Sequence, residues 1–451
     1  MRSVLQAPGH DRALPPEWIG LVGAAGMTLL GRAAGLEVLL ALGAAATFLL
    51  AVVIFPEALV ALFLAAGTLK ANPLLAAVPG DLTMLSAAGV ALAMLIRVLR
   101  DGVPPVPCAA ALFAALLVLM PLSVLWSPDP ETGFEKVKTF ETLTLLSFVC
   151  PFVLFRSRAQ VERLMVCFVG IGLFVSLTAV RTGHPASPLV AAGGNEIELA
   201  VYAAWGMLAA VSYLLLIGRG PLPLLWLVPA AFLGLTVVQA GSRGVLVGTI
   251  LALAFSAAQA LFYPLPGRRR FLGAAAAGAL VATLAGSRLS GAATDKYTEY
   301  LFHANLDSIL VGREWVLARG WELTLAHPLG LGAGGFDWAT GWDHSHNMFF
   351  ELSSEQGMVA VALVVALVVA AWRTRLRGPW GRSPESVICG ALIVLFLVQA
   401  LITNGPNDSR PLWFTLGLAL ALPQFRRAAA PLSLTSPRSA GEPHRRAAHS
   451  H

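Results

Sequence analysis

The sequence predicts an all-α, polytopic membrane protein with about 12–14 transmembrane helices. Of the 451 residues, 57% are hydrophobic and only 12% are charged, whereas a soluble globular protein has about 25% charged residues. The mean hydropathy is +0.73. Apolar runs of membrane-spanning length recur along the chain with short polar loops between them, so they form one membrane domain rather than several soluble domains.

The individual spans follow from the rule that a membrane-crossing helix needs about 20 mostly apolar residues. The predicted spans lie near 18–33, 36–54, 57–70, 82–99, 106–126, 137–155, 161–180, 196–217, 222–239, 244–263, 271–286, 346–371, 386–403 and 409–425. This set gives about 14 spans, and about 12 if the short first and third runs do not cross.

Clusters of basic residues predict which span ends share a side of the membrane. Cytoplasmic loops carry an excess of Lys and Arg, and with these spans every loop cluster falls on one side. The clusters are Arg97 and Arg100; Arg156, Arg158 and Arg163; Arg219; Arg268 to Arg270; Arg373, Arg375, Arg377 and Arg382; and Arg426 and Arg427. We therefore expect this side to be cytoplasmic and to hold both termini. The opposite side then holds the segments around 127–136, 181–195, 240–243, 287–345 and 404–410.

Three parts of the chain follow from this topology. Residues 1–17 form a polar cytoplasmic segment without a cleavable signal peptide. Residues 18–427 form the membrane domain, which includes the large outside loop 287–345, and residues 428–451 form a disordered tail. The net charge of +6 arises from arginines in short loops and does not indicate a nucleic-acid partner. The four cysteines form no CxxC pair, which supports neither a zinc site nor a disulfide framework.

The outside loop 287–345 is the one long polar interruption of the apolar sequence. It contains Arg288, His303, Arg313, Arg319, His327 and His344. Directly after it the chain re-enters the membrane at His346-Asn347-Met348. Ionisable side chains are costly to place at a bilayer and usually serve a function, so we expect the functional site here.

Basic residues on the outside are exceptions to the charge pattern, and each needs a physical reason. Arg243, Arg288, Arg313 and Arg410 are such exceptions. One interpretation is that their guanidinium groups converge on an anionic headgroup, because arginine binds phosphate oxygens through two parallel hydrogen bonds. The commoner alternative is snorkelling or pairing with a nearby acid. For Arg243 the ligand interpretation is favoured, because the residue lies in the Gly-flanked turn Gly241-Ser242-Arg243-Gly244 and has no acid near it in sequence.

His346 is the candidate general base. It begins a predicted helix on the outside, where Asn347, Glu351 and Glu355 recur every four residues and so share one side. Histidine is the usual base near neutral pH. On the residues alone, a helix cap or a satisfied polar side chain is the commoner role for a lone histidine at a helix start.

Two further motifs do not support catalysis. Residues 330–335 match GxGxxG, but the segment lacks the βαβ context of a nucleotide site, and a close-packed loop is expected instead. Asp129 and Glu131 are expected to be solvated charges in a Pro-rich turn. No HExxH or DxD motif lies in an outside loop, so a metal is not predicted.

An ordered set of short motifs resembles the O-antigen ligase and O-antigen polymerase superfamily. The set is Ser242-Arg243-Gly244, Gly312-Arg313 with Trp315, the run from His327 to Gly334 with Phe336, and His346-Asn347 with Glu355 and Gly357. It covers about 120 residues on one predicted side of the membrane. Lys70-Ala71-Asn72-Pro73 also resembles this group.

The resemblance implies a GT-C-like membrane glycosyltransferase of the bacterial inner membrane, with a periplasmic loop and active site. Such enzymes take a glycan from an undecaprenyl pyrophosphate donor, invert the anomeric centre, and need no metal or cofactor. The acceptor is lipid A-core for a ligase and another lipid-linked repeat unit for a polymerase, and the sequence does not separate the two.

Residue roles follow from the same resemblance. Arg243 and Arg313, with Arg288 as a weaker candidate, would hold the pyrophosphate. His346 would deprotonate the acceptor hydroxyl, and Asn347 and Glu355 would orient and support it, with Ser242 also in a supporting role. Trp338 and Trp342 would either stack on sugars or anchor the chain at the interface.

The main alternative is a transporter or flippase of a lipid-linked or anionic substrate. A transporter would show internal repeats and ionisable residues near the bilayer midplane. The charges cluster instead at span ends, and the polar loop is not duplicated. A non-catalytic scaffold would leave the outside arginines and histidines without an explanation.

Overall fold

The computed structural model describes residues 52–75, 80–181, 188–217, 222–265, 267–274, 314–342, 345–376 and 383–425. The predicted N-terminal segment, the first predicted span, nearly all of the second, most of the 271–286 span and the tail lie outside these residues. So do His303, His344, Arg288 and Arg313. The count of about 12–14 spans therefore stays a prediction.

The described residues are almost entirely helical. The helices are α1 (Pro56–Leu69), α2 (Leu82–Asp101), α3 (Ala110–Ser123), α4 (Pro130–Thr139), α5 (Leu145–Leu154), α6 (Arg158–Leu177), α7 (Glu196–Ile217), α8 (Leu227–Ala240), α9 (Arg243–Phe262), α10 (Glu314–Ala326), α11 (Gly335–Thr340), α12 (Met348–Glu355), α13 (Met358–Leu376), α14 (Pro384–Ile402) and α15 (Arg410–Ala421). Two two-residue strands, β1 (Val180–Arg181) and β2 (Leu189–Val190), pair antiparallel.

Six of these helical stretches are long and apolar enough to cross a membrane. They are Leu82–Asp101, Pro130–Leu154, Arg158–Leu177, Arg243–Phe262, Met358–Leu376 and Pro384–Ile402. Three shorter apolar helical stretches are Pro56–Leu69, Ala110–Trp126 and Leu224–Ala240. An all-α polytopic membrane protein is thus confirmed for the described part of the chain.

One predicted loop is helical. Residues 127–136 are predicted to form a turn and loop, but in the structure helix α4 begins at Pro130. This helix continues through a π-helical stretch (Phe140–Thr144) into α5. Asp129 caps this helix, because its Oδ1 accepts a hydrogen bond from the Thr132 amide at 3.2 Å. A proline at the first helical position lacks only an amide that would have no partner there. The expectation of a Pro-rich turn is therefore wrong from Pro130 onwards, whereas Glu131 is exposed and Asp129 partly exposed, as expected for solvated charges.

The predicted span 346–371 is two helices. The short helix α12 ends at Glu355, and α13 begins at Met358 after Gly357, whose φ is +81°. A loop replaces the helical continuation: the amides of Leu331 and Gly332 donate to the carbonyls of Ser354 and Glu355 at 2.7 and 2.8 Å.

The helix ends sort into two sets. At one end Arg156 contacts Asp101 at 3.2 Å, Arg158 contacts Glu385 at 3.1 Å, and Arg163 contacts Glu57 at 2.7 Å. We call this the basic end. These pairs join the end of α2 to the starts of α1, α6 and α14, as the predicted grouping of arginine clusters requires. Which compartment the basic end faces stays a prediction.

An aromatic cluster supports the opposite end, which we call the site end. The ring centroids of Phe113 and Phe148 lie 4.1 Å apart, and those of Phe140 and Trp413 lie 5.7 Å apart. Trp413 also donates its indole N–H to the Pro406 carbonyl at 2.9 Å. The aromatic cluster and this hydrogen bond together fix the turn between α14 and α15.

We expect Gly330→Ala to destabilise the protein far more than Gly341→Ala. Both glycines have positive φ, +83° and +72°, which costs an L-residue about 1–2 kcal/mol. A Cβ on Gly330 would also lie 2.3 Å from the Glu355 carbonyl oxygen, whereas a Cβ on Gly341 would meet nothing within 4 Å. Thermal unfolding of the two variants in detergent checks this. Equal losses would show that the packing of Gly330 contributes nothing beyond backbone strain.

Candidate active site at one end of the helices

The site end is organised around the segment 401–410, which runs from the last turn of α14 to the start of α15. The side-chain amide of Asn347 donates to the Leu401 carbonyl at 2.9 Å. His346 Nδ1 lies 3.4 Å from the Thr403 carbonyl oxygen. A Cβ on Gly244, the residue after Arg243, would lie 3.0 Å from Ile402 Cγ2. Residues far apart in sequence, Arg243 and His346, therefore lie against the same end of α14.

His346 has a strained backbone. Its φ is +54°, the only positive φ of a non-glycine among the described residues. Hydrogen bonds of its neighbours hold the turn: the Ser345 hydroxyl donates to the Asn347 carbonyl at 2.6 Å, and the Asn347 amide donates to that hydroxyl at 3.1 Å. Such strain persists only where the surrounding structure over-determines it, and it concentrates at functional sites.

The ring contact of His346 favours one tautomer. A carbonyl oxygen can only accept, so a hydrogen bond to Thr403 requires the proton on Nδ1. In the neutral ring Nε2 is then the basic nitrogen. This is the arrangement that a general base needs.

Asn347 begins α12 as its cap. Its Oδ1 accepts from the amides of Phe349 and Phe350 at 2.9 and 3.1 Å. Together with the bond to Leu401, this fixes the start of α12 on α14. Asn347 thus holds the backbone next to His346, and its predicted role in orienting His346 stays a prediction.

Glu355 lies at the other end of α12 from His346. Its Oε1 contacts Lys136 Nζ at 2.7 Å, with Glu351 Oε1 at 3.2 Å and Asp337 Oδ1 at 2.8 Å from the same nitrogen. We call these four side chains the Lys136 cluster. The predicted support of His346 by Glu355 would therefore run through α12, at whose two ends the two residues lie.

Arg243 and Ser242 lie in the turn between α8 and α9. Gly241 ends α8 with a left-handed φ of +72°, Ser242 is buried, and Arg243 is the first residue of α9. The glycine that follows, Gly244, packs on α14 as described above. Gly241 thus serves the turn, and Gly244 serves the contact between α9 and α14.

Residues 228–365 match the family model described as O-Antigen ligase. The matched stretch begins in α8 and ends in α13, and it includes the Arg243 turn and the His346-Asn347 turn. This stretch of the chain is similar to the O-antigen ligase family. No curated protein matches the chain.

This match confirms the resemblance and supports a role in membrane glycan transfer. The matched stretch also spans the positions of Arg288 and Arg313, whose roles stay predictions. Lys136 and the segment 401–410 lie outside the stretch, although they contact residues inside it. The site end is therefore built from the family domain together with helices on both sides of it.

Lys136 was missed in the sequence. It lies in a segment predicted to be an outside loop, and its ion-pair partners are 201 to 219 residues away. A usable indication existed, since a lysine on the outside is an exception to the positive-inside rule.

Other candidates have structural partners. Lys70 Nζ lies 3.5 Å from Asp81 at an exposed position. Asn72 is buried and donates to Thr178 Oγ1 at 3.0 Å, which ties the end of α1 to the end of α6. Arg410 begins α15 with its guanidinium 5.9 Å from the Phe63 ring centroid.

Trp338 and Trp342, two tryptophans of the predicted outside loop 287–345, differ in their surroundings. Trp342 makes edge contacts with Trp315, centroids 5.0 Å apart, and with the His346 ring at 6.4 Å. Trp338 is 62% exposed and has no ring contact among the described residues. Only Trp342 is thus adjacent to the candidate base. Within the same residues, no group of three or more His, Cys, Asp or Glu side chains is arranged to hold a metal ion.

Proposed function

We propose that the protein transfers a glycan from a polyprenyl (undecaprenyl) pyrophosphate donor to an acceptor sugar hydroxyl on the periplasmic face of the bacterial inner membrane. The observation that carries this proposal is the meeting of the His346-Asn347 turn and the turn of Arg243 and Gly244 at the Leu401–Thr403 end of α14. A base and a phosphate-binding cation at one membrane-facing end are the two groups that this transfer requires.

In the proposed reaction, His346 Nε2 takes the proton of the acceptor hydroxyl. The hydroxyl oxygen then bonds to the anomeric carbon, and the bond from that carbon to the pyrophosphate oxygen breaks, with its electrons leaving on the pyrophosphate. Attack opposite to the leaving group inverts the anomeric centre. One bond forms, one bond breaks and one proton moves to His346, so the proposed reaction needs no oxidant, reductant or metal.

Arg243 stabilises the leaving group in this proposal. Negative charge grows on the pyrophosphate in the transition state, and a guanidinium placed beforehand lowers its energy. The position at the start of α9 adds the partial positive charge of a helix N-terminus, where orphan amides also favour anions. Arg313 and Arg288 are proposed to join Arg243 there.

Deletion of the gene in its host tests the proposal. We expect surface glycan to be lost and lipid-linked donor to accumulate, with both effects reversed by the wild-type gene. Donors of single repeat length would indicate a polymerase, and long chains would indicate a ligase that uses lipid A-core. Normal surface glycan in the deletion strain would overturn the proposal.

Trp342 is proposed to stack on a sugar ring beside His346. We expect Trp342→Ala to reduce transfer by up to about tenfold, since a stacking contact is typically worth about 0.5–1.5 kcal/mol. Trp338→Ala is the matched control, because Trp338 is exposed on the same segment without contact to His346. Transfer is measured in membrane vesicles at matched protein levels. Equal effects of the two variants would indicate interface anchoring instead.

A further inference from the structure

The Lys136 cluster is buried at a point where three elements meet. The side chains of Lys136, Asp337, Glu351 and Glu355 are 14%, 16%, 6% and 3% exposed. Lys136 comes from α4, Asp337 from α11, and the two glutamates from α12. A single ammonium group thus joins a membrane helix to two short helices of the family domain.

Hydrogen bonds and the helix α12 connect the Lys136 cluster to the turn that contains His346. Glu351 Oε2 accepts from the amide of Ser345, the residue before His346, at 3.4 Å. Asn347 and His346 hold the start of α12 against α14, while Lys136 holds Glu351 and Glu355 further along the same helix. Asn407 also donates to the Lys136 carbonyl at 3.1 Å, so α4 contacts the segment 401–410 directly. Fixing α12 at both ends fixes the turn that carries His346.

We propose that Lys136 is a positioning residue, whose ion pairs with Asp337 and Glu355 and hydrogen bond to Glu351 hold the His346 turn in its reactive geometry, and that Glu351 carries a proton in the working protein. This rests on the proposed glycan transfer. Displacing a catalytic group by about 1 Å can cost about 10²-fold in rate, so loss of the ammonium should affect transfer.

The charge balance is the reason for the proton. Among the described residues one ammonium faces three carboxyl groups, and ionising all three in a buried place is unfavourable. The described groups that face Glu351 are Lys136 on α4, Asp337 on α11 and Glu355 on α12, while the segment 401–410 presents the uncharged Gly405. Burial, opposed by Lys136 and reinforced by Glu355 and Asp337, raises the pKa of Glu351 to about 7.

The direction of the pH effect follows. The folded protein keeps a proton on Glu351 that the unfolded chain, with its ordinary pKa of 4.5, releases. The free energy of unfolding should therefore fall as the pH rises from about 4.5 to about 7 and stay level above that. Above about pH 7 the ionised Glu351 adds repulsion to the cluster, so transfer should decline.

The test measures glycan transfer against pH in membrane vesicles that contain the native donor and acceptor. We expect Lys136→Met to lower transfer about 10²-fold and Lys136→Arg to restore most of it. Glu351→Gln imitates the protonated carboxyl, so its transfer should no longer decline above about pH 7. Lys138→Met is the matched control, because Lys138 is exposed and pairs with Glu135 at 3.1 Å outside the cluster.

Wild-type transfer by Lys136→Met, or a wild-type pH profile in Glu351→Gln, would overturn the inference. If Lys136→Met does not accumulate in membranes, Glu351→Gln decides alone, through its pH profile and through the pH dependence of its melting temperature in detergent. That melting temperature should lack the fall that the wild-type protein shows between about pH 4.5 and 7. An absence of transfer by the wild-type protein contradicts the proposed function, while the melting measurement still tests the cluster.

Discussion

Replacing His346 with Asn should abolish detectable glycan transfer while the protein continues to fold. A positioned general base contributes about 10²–10⁴ in rate, and the asparagine amide cannot take a proton. Asparagine is the informative substitution because it tolerates left-handed φ better than most residues, and His346 has a φ of +54°. Surface glycan and accumulated lipid-linked donor in a deletion strain, complemented with the variant, provide the measurement.

His346→Gly and His346→Ala complete this series. Glycine relieves the backbone strain and removes the ring, whereas alanine removes the ring and keeps the strain. We expect all three variants to lack transfer, with alanine the least stable of them. If His346→Asn or His346→Gly retains wild-type transfer, His346 is not the base. Its role is then that of a helix cap or a satisfied polar side chain, the commoner role of a histidine at a helix start.

Replacing Arg243 with Ala should lower transfer by about 10²–10³-fold, because one preorganised electrostatic contact to the developing charge is lost. Arg243→Lys should fall between this variant and the wild type, since lysine keeps the charge and loses the two-pronged geometry. The measurement is the rate of transfer in vesicles at several donor concentrations.

Arg319→Ala is the matched control for Arg243. Arg319 lies in α10 and pairs with Glu322 at 3.0 Å on the surface, where ion pairs contribute little. We expect this variant to retain wild-type transfer. If Arg243→Ala behaves like Arg319→Ala, Arg243 serves only the turn between α8 and α9, and the pyrophosphate must be held elsewhere.

The residues of the site could be proposed from the sequence to a useful degree. His346, Asn347 and Arg243 were selected by their place at span ends, and the structure brings them to one end of α14. Their roles stay predictions. The clustering itself could not be derived, because Thr403 and Leu401, which receive them, have no distinctive side chain and contribute backbone carbonyls.

The sequence by itself determined the class of the protein, the place of most spans in the described region and the resemblance to O-antigen ligases. These follow from local properties: the length of an apolar run sets a helix, and ordered short motifs indicate relatedness. Only the tertiary structure decided that α4 extends to Pro130, that the helix breaks at Gly357, and that Lys136 meets Asp337, Glu351 and Glu355. The helix break is stabilised by hydrogen bonds from Leu331 and Gly332. These residues reach the end of α12 only in the folded protein. The ion pairs join residues more than 200 positions apart, a separation over which no sequence periodicity carries information.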